Sequence, residues 1–227
     1  MSPVRARARR GEGDKLRDEI LVAVSDLLDE TNDESAVSIR AIADRVGVTP
    51  PSIYRHFADK DEMLSAVCAA VFVQLTEGIA EAVESASSAI DALAGAGRCY
   101  VEFGLAHPEH YRLVFMRPPL GDTVDHSELR TAFEAGEIPE SHRLFGGEAL
   151  AGSEAFKGLY DLVAAVVSEL PKGRRPDLFT TTTMIWAAVH GIVSLRISKP
   201  DFLWPTVDEQ IESILWPWRE ALRGAAE

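Results

Sequence analysis

His107 and His110 stand three residues apart around Pro108 and Glu109. Two imidazoles at that spacing can share a divalent metal on a helix. Pro108 suits the first position of a helix, which leaves His107 at the cap, where its ring need not point with that of His110. No third ligand is evident in the sequence, so no metal is expected. His190 follows Trp186 by four residues, which puts both on one helical face. An inward imidazole there either bonds a carbonyl or a tyrosine hydroxyl, or lines a pocket and orients the polar end of a ligand. A third group is Thr49-Pro50-Pro51-Ser52-Ile53-Tyr54-Arg55-His56, which brings hydroxyls, a guanidinium and an imidazole together behind two prolines. Such donors suit phosphate and base edges. The chain shows no nucleophile with a partnered base, no phosphate-binding glycine loop and no paired carboxylates, so neither catalysis nor a cofactor is expected.

The 227 residues allow one large domain or two modest ones, and 46% hydrophobic with 26% charged residues is ordinary for a soluble chain. Cys68 and Cys99 lack metal-ligand spacing and read as buried thiols of a reducing cytoplasm. The N-terminus lacks a signal-peptide core, and no run of about 18 apolar residues suggests a membrane span, so a soluble, cytoplasmic protein with no membrane partner is expected. The net charge of −13 argues at first against a polyanionic partner. Its distribution matters more. The opening MSPVRARARR carries four arginines and no acid, and Ser38–Lys60 holds four basic residues against two acidic ones. An acidic body limits sticking to random DNA while a local basic face binds a site.

Helices must position these groups. Leu16, Ile20, Val24, Leu27 and Leu28 mark one buried face between Asp14 and Glu30. Ser38 caps a short helix to Arg45, and Gly47 turns the chain. Asp59 and Glu62 outline a capping box for a long helix reaching about Glu84. Further helices are predicted at 88–105, 108–116, 153–170, 176–197 and 207–222. The glycine-rich and proline-rich stretch 118–152 reads as a long connection, either a lid or a tolerated insert, with one short helix near 125–134. No period-two strand pattern appears, so the fold class is all-α.

With Thr49 as N-cap, Pro50 and Pro51 occupy the first two helical positions, whose amides have no intrahelical partner in any case. The prolines therefore fix the first turn rather than break it. The Thr49 hydroxyl can accept from the Ser52 amide or face a phosphate. Ile53 and Phe57 face inward, while Ser52, Tyr54, Arg55 and His56 are displayed. Helix, glycine turn and projecting helix have the spacing of a helix-turn-helix, whose second helix fits the major groove.

SIRAIADRVGVTPPSIYRHFADKDEML resembles the DNA-binding domain of TetR-family transcriptional regulators. The resemblance rests on Ile42-Ala43, Val46-Gly47-Val48, Tyr54, His56-Phe57, Lys60 and Leu64, and covers about the first 65 residues. It implies phosphate or base contacts by Thr49, Ser52, Tyr54 and His56 and a phosphate contact by Lys60; Pro50, the displayed Arg55 and Arg40, near the start of the second helix, complete the candidate DNA-binding set. Pro51 departs from the family's usual small residue. The arginine arm is expected at a phosphate or in the minor groove.

YVEFGLAHPEHYRLVFM (Tyr100–Met116) and WAAVHG (Trp186–Gly191) resemble the effector domain of the Trp-His-Gly (WHG) subgroup of that family. The domains expected are a basic arm at 1–13, a three-helix DNA-binding domain at 14–60 and a helical-bundle effector domain at 61–227. The resemblance implies a homodimer through the last two helices, a double-stranded operator of palindromic form, and a small, mainly apolar effector that releases a repressor. Tyr100, Phe103, Tyr111, Phe115, Tyr160, Trp186 and His190 are the effector-site candidates. The alternative is a ligand-independent regulator acting through a protein partner.

Overall fold

The computed structural model describes residues 13–31, 33–116, 128–140 and 147–226. Among them are ten α-helices, two 3-10 turns and no strand, the all-α class expected. The basic arm at 1–12 and the parts of the long connection at 117–127 and 141–146 lie outside the described residues.

The chain forms two compact units. The first takes the residues up to Val71 and those from His107 onward through the next short helix. It contains α1 (Gly13–Thr31), a 3-10 turn (Glu34–Ala36), α2 (Ile39–Val46), α3 (Pro50–Ile53), the first half of α4 (Lys60–Glu84) and, after the second unit's first pass, α6 (Pro108–Phe115). The boundary expected after Lys60 differs from this division, which falls inside α4, at Val71. Met63, Leu64 and Val67, in the first turns of α4, are buried and belong to this unit, so the unit runs past the end of the motif. Ile20, Val24, Leu28, Ile42, Ile53 and Leu64 are fully buried in this unit, each such side chain contributing roughly 1.5–3 kcal/mol of apolar burial.

The second unit begins at Phe72 with the rest of α4 and continues with α5 (Ala89–Ala106), α7 (Leu129–Glu134), α8 (Gly147–Ser168), α9 (Leu178–Ser198) and α10 (Val207–Ala226). Helix α5 packs against α8, α9 and α10, so it is the central rod. Gly97 permits the approach of α10, since a β-carbon there would stand 3.1 Å from Ile211, and Gly95 permits that of α4, where a β-carbon would stand 3.3 Å from Ala82.

Two expectations change. Helix α8 starts at Gly147 rather than near Ser153, because Glu148, Ala149, Leu150 and Ala151 are strong helix formers and each glycine costs only about 1 kcal/mol. Helices α4 and α9 are each long and apolar enough by composition to cross a bilayer, contrary to the expectation that no segment is. Core helices pass the same test, and here both carry packed faces: Met63, Leu64, Val67, Val71 and Leu75 on α4, and Ile185, Val189, Ile192 and Val193 on α9 are buried.

Candidate nucleic-acid interface and effector region

In the first unit, local chemistry sets the helix-turn-helix. Ser38 accepts a hydrogen bond from the Ala41 amide at 3.2 Å and starts α2. Gly47 ends it at φ +74°, and the Gly47 and Val48 amides both return to the Ala43 carbonyl. An L-residue side chain disfavours that left-handed conformation, which is why glycine stands there.

Helix α3 has Pro50 and Pro51 at its first two positions, as the sequence requires. Its cap differs from expectation in one respect. The Ser52 amide donates to the Thr49 backbone carbonyl at 2.8 Å, while the Thr49 hydroxyl pairs with Ser52 Oγ at 3.1 Å. Two prolines tighten the turn so that the carbonyl takes the amide, and the hydroxyl is left outside. Arg55 Nη2 donates to the same Ser52 Oγ at 2.9 Å. Thr49, Ser52 and Arg55 thus form one surface string of donors, already ordered before any ligand arrives.

The α-helical stretch ends at Ile53, but turns continue through His56, with the His56 and Phe57 amides both donating to Ile53 O. Ile53 is fully buried and Phe57 nearly so, with the Arg17 guanidinium 4.8 Å from the Phe57 ring centre. The segment is therefore anchored from beneath. Above the anchor Tyr54 is 54% exposed, Arg55 is exposed and His56 half-buried.

The cations divide. Arg40 is exposed, its guanidinium 3.9 Å from Asp44. Arg45 turns the other way, bonding Glu30 at 2.6 Å with Asp26 at 3.8 Å. It joins α2 to α1 rather than facing outward. Lys60 Nζ donates to the Glu34 carbonyl at 3.2 Å, so this candidate phosphate ligand also holds the 3-10 turn. Asp59 accepts from the Glu62 amide at 2.8 Å, and Glu62 reaches back to the Ala58 amide, one residue earlier than the usual capping box.

The effector candidates fall in both units. Tyr111 and Phe115 are in the first, their ring centres 5.1 Å apart, with Tyr111 almost fully buried. Tyr100, Phe103, Tyr160, Trp186 and His190 are in the second. There the Tyr100 hydroxyl is 3.3 Å from His190 Nδ1, and burial pushes the His190 imidazole below its ordinary pKa, favouring the neutral ring. Trp186 lies 5.9 Å from His190 and edge-on to Phe156 at 5.7 Å. Phe156 in turn stacks on Phe133 at 5.4 Å, and Tyr160 is 6.0 Å from Phe133. Sequence reading missed Phe133 and Phe156, since nothing local marks them as neighbours of Trp186. The second unit also has a recess of about 300 Å³, lined by Asp177, Thr180, Met184, Ile185, Ile214 and Trp218. None of the candidates lines it.

Comparison with known proteins gives two family matches. Residues 33–67 match "Bacterial regulatory proteins, tetR family", and residues 93–215 match "Tetracyclin repressor-like, C-terminal domain". The second covers more than half the chain; it does not single out the Trp-His-Gly subgroup. A curated relative, the HTH-type transcriptional activator FasR of Mycolicibacterium smegmatis, is 27% identical over 129 residues, 57% of this chain and 58% of the relative. The matched segment thus spans less than two thirds of that relative. Among solved structures, a protein of unknown function from Rhodococcus sp. RHA1 aligns over 100% of both chains with a TM-score of 0.68 and 21% identity. A transcriptional regulator of the TetR/AcrR family from Thermobifida fusca aligns over 93% of this chain and 98% of its own, with a TM-score of 0.60 and 20% identity. At these identities the structural likeness shows the fold.

Proposed function

The chain belongs to the TetR family of bacterial transcriptional regulators, DNA-binding proteins rather than enzymes, and on that premise we propose that it is a ligand-responsive repressor that binds a palindromic operator as a homodimer. The observation that carries the reading is the segment Thr49–His56, anchored by Ile53 and Phe57 and presenting Thr49, Ser52, Tyr54 and Arg55 as one donor surface. Pro50 and Pro51 keep its first turn rigid, His56 and Lys60 extend it, and Arg40 adds an exposed cation. Repression follows from occupying DNA that a polymerase needs. The relative FasR is named an activator; operator position relative to the promoter sets that sign, and a reporter fused to the operator reads it.

The dimer surface we assign is the outer side of α9 and α10. Met184 is 65% exposed, Leu195 51% and Trp216 61%, unfavourable for a face left in water. The recess lined by Met184, Ile214 and Trp218 is sized for side chains of a two-fold partner, in a four-helix arrangement. Two recognition segments would then meet successive major-groove faces about 34–36 Å apart.

The effector is mainly apolar in this reading, taken by Tyr100, Phe103, Tyr160 and Trp186, with the Tyr100–His190 pair as its polar end. Tyr111 and Phe115, which pack within the first unit, are left out of this assignment. Release requires that the effector bind the two conformers unequally, and α4, which carries residues of both units, is the proposed carrier. One observation favours the second reading, regulation through a protein partner without an effector: Phe133, Phe156, Tyr160 and Trp186 pack on one another.

The test is binding to genomic DNA fragments, followed by sedimentation of the bound complex. Two chains per sequence-specific site support the reading. One chain per site, or affinity independent of sequence, overturns it.

A further inference from the structure

Asp29, near the end of α1, and His107 and His110, at the start of α6, all belong to the first compact unit. Asp29 Oδ1 lies 3.0 Å from His110 Nδ1 and 3.4 Å from His107 Nδ1. One ligand atom from each residue lies within 4.8 Å of the others. His110 is 3% exposed, and its buried Nδ1 has no hydrogen-bond partner, with Asp29 Oδ1 at 3.0 Å. On the far side of the same ring, Nε2 is 2.6 Å from Ser25 Oγ.

A proton on Nε2, donated to the Ser25 oxygen, leaves Nδ1 with a bare lone pair. That lone pair then faces a carboxylate oxygen at 3.0 Å, acceptor against acceptor. A cation between them turns the conflict into attraction. We propose that Asp29, His107 and His110 bind a divalent first-row transition metal of the zinc class, with His110 ligating through Nδ1 in the tautomer whose Nε2–H donates to Ser25.

The dimensions fit. Ligand atoms at about 2.0–2.1 Å from a tetrahedral zinc stand about 3.3 Å apart; the two separations from Asp29 Oδ1, 3.0 and 3.4 Å, lie on either side of that, and the two imidazole nitrogens lie within 4.8 Å of each other. Two imidazoles with one carboxylate suit zinc, cobalt or ferrous iron, whereas calcium and magnesium favour all-oxygen sites. The Asp29 and His107 side chains are 42% and 40% exposed, so an ion can enter and a water can take the fourth position. The Ser25 contact is the kind of outer hydrogen bond that orients a ligating imidazole. Bound metal would tie α6 to α1, on which α2 packs.

The test uses the full chain without an affinity tag, stripped by chelator. Zinc binding is followed by calorimetry, and cobalt binding by the intense visible absorption of tetrahedral coordination. One ion per chain is expected. Asp29→Asn and His107→Gln, both at half-exposed positions, should each weaken binding at least tenfold, and Ser25→Ala about tenfold. Zinc at a hundredfold excess over its dissociation constant should raise the melting temperature of the parent by roughly 5 °C or more, and that of the two ligand variants far less. Melting without metal shows that each variant folds. No bound ion in the parent, or the same affinity in parent and both ligand variants, overturns the site.

Discussion

Replacing Gly47 by alanine sets two opposed effects against each other. Where the backbone suits both residues, Gly→Ala stabilises by about 0.4–1 kcal/mol, because the unfolded chain has less freedom to lose. At Gly47 φ is +74°, and a β-carbon there would meet nothing within 4 Å. The cost is therefore backbone strain alone, about 1–2 kcal/mol for an L-residue in the left-handed region. Strain exceeds the entropic gain, so the net expectation is a loss of roughly 1 kcal/mol. In a chain of 227 residues that lowers the melting temperature by about 2–4 °C. Asparagine, which tolerates this conformation better, should lose about half as much. Differential scanning calorimetry of the parent and both variants at one protein concentration reads the order directly. Gly158→Ala is the internal control: Gly158 is mid-helix in α8 without positive φ, and an added β-carbon meets nothing within 4 Å. A Gly47→Ala variant as stable as the parent, or more so, would refute the left-handed turn and with it the projection of α3.

Tyr54→Phe should weaken operator binding about fivefold while leaving the melting temperature unchanged, since the ring is 54% exposed and one hydrogen bond is worth about 1 kcal/mol; fluorescence anisotropy and a melting curve check both halves. Trp186→Ala should cost roughly 2–3 kcal/mol, below the range for a fully buried tryptophan because Trp186 is 38% exposed, and should spare operator affinity at a temperature where the chain is folded. Asp91 accepts from Ser88 and Ser87 and pairs with Arg219, and these bonds, the Ser88 one foremost, hold its carboxyl down at about 2. A depressed carboxyl stabilises the fold above its unfolded value and loses that stability as pH falls through the folded one. Acid unfolding between about pH 4 and pH 2 should therefore be shallower in Asp91→Asn, with a loss of roughly 1 kcal/mol at pH 7 once solvent screening is allowed for.

The DNA-binding half was readable in the sequence because its signals are local. A serine cap, a glycine at a left-handed turn and two prolines at a helix start each act within four residues. Buried Ile53 and Phe57 follow from the same periodicity. What escaped sequence reading depends on distant partners. Arg45 sits in a basic stretch, yet its carboxylate partner Glu30 is 15 residues away and turns it from the outer face. Asp29 is 78 residues from His107, so the His-Pro-Glu-His stretch showed two imidazoles and not the carboxylate beside them. Phe133, Phe156 and Trp186 come from three helices and meet only after packing. Glycines at 147 and 152 suggested a connection, but the four residues between them favour helix strongly enough to carry α8 through.

The central claim is that the surface built on Thr49–His56 reads a two-fold DNA site. Selection of bound sequences from random duplex DNA, at two salt concentrations, tests it most directly. The account predicts an enriched palindrome with half-sites about one helical turn apart, with affinity falling as salt rises because phosphate contacts release counterions, and no such enrichment when Tyr54 and Arg55 are both replaced by alanine. An enriched motif without two-fold symmetry, or the same palindrome selected by that double variant, would contradict it.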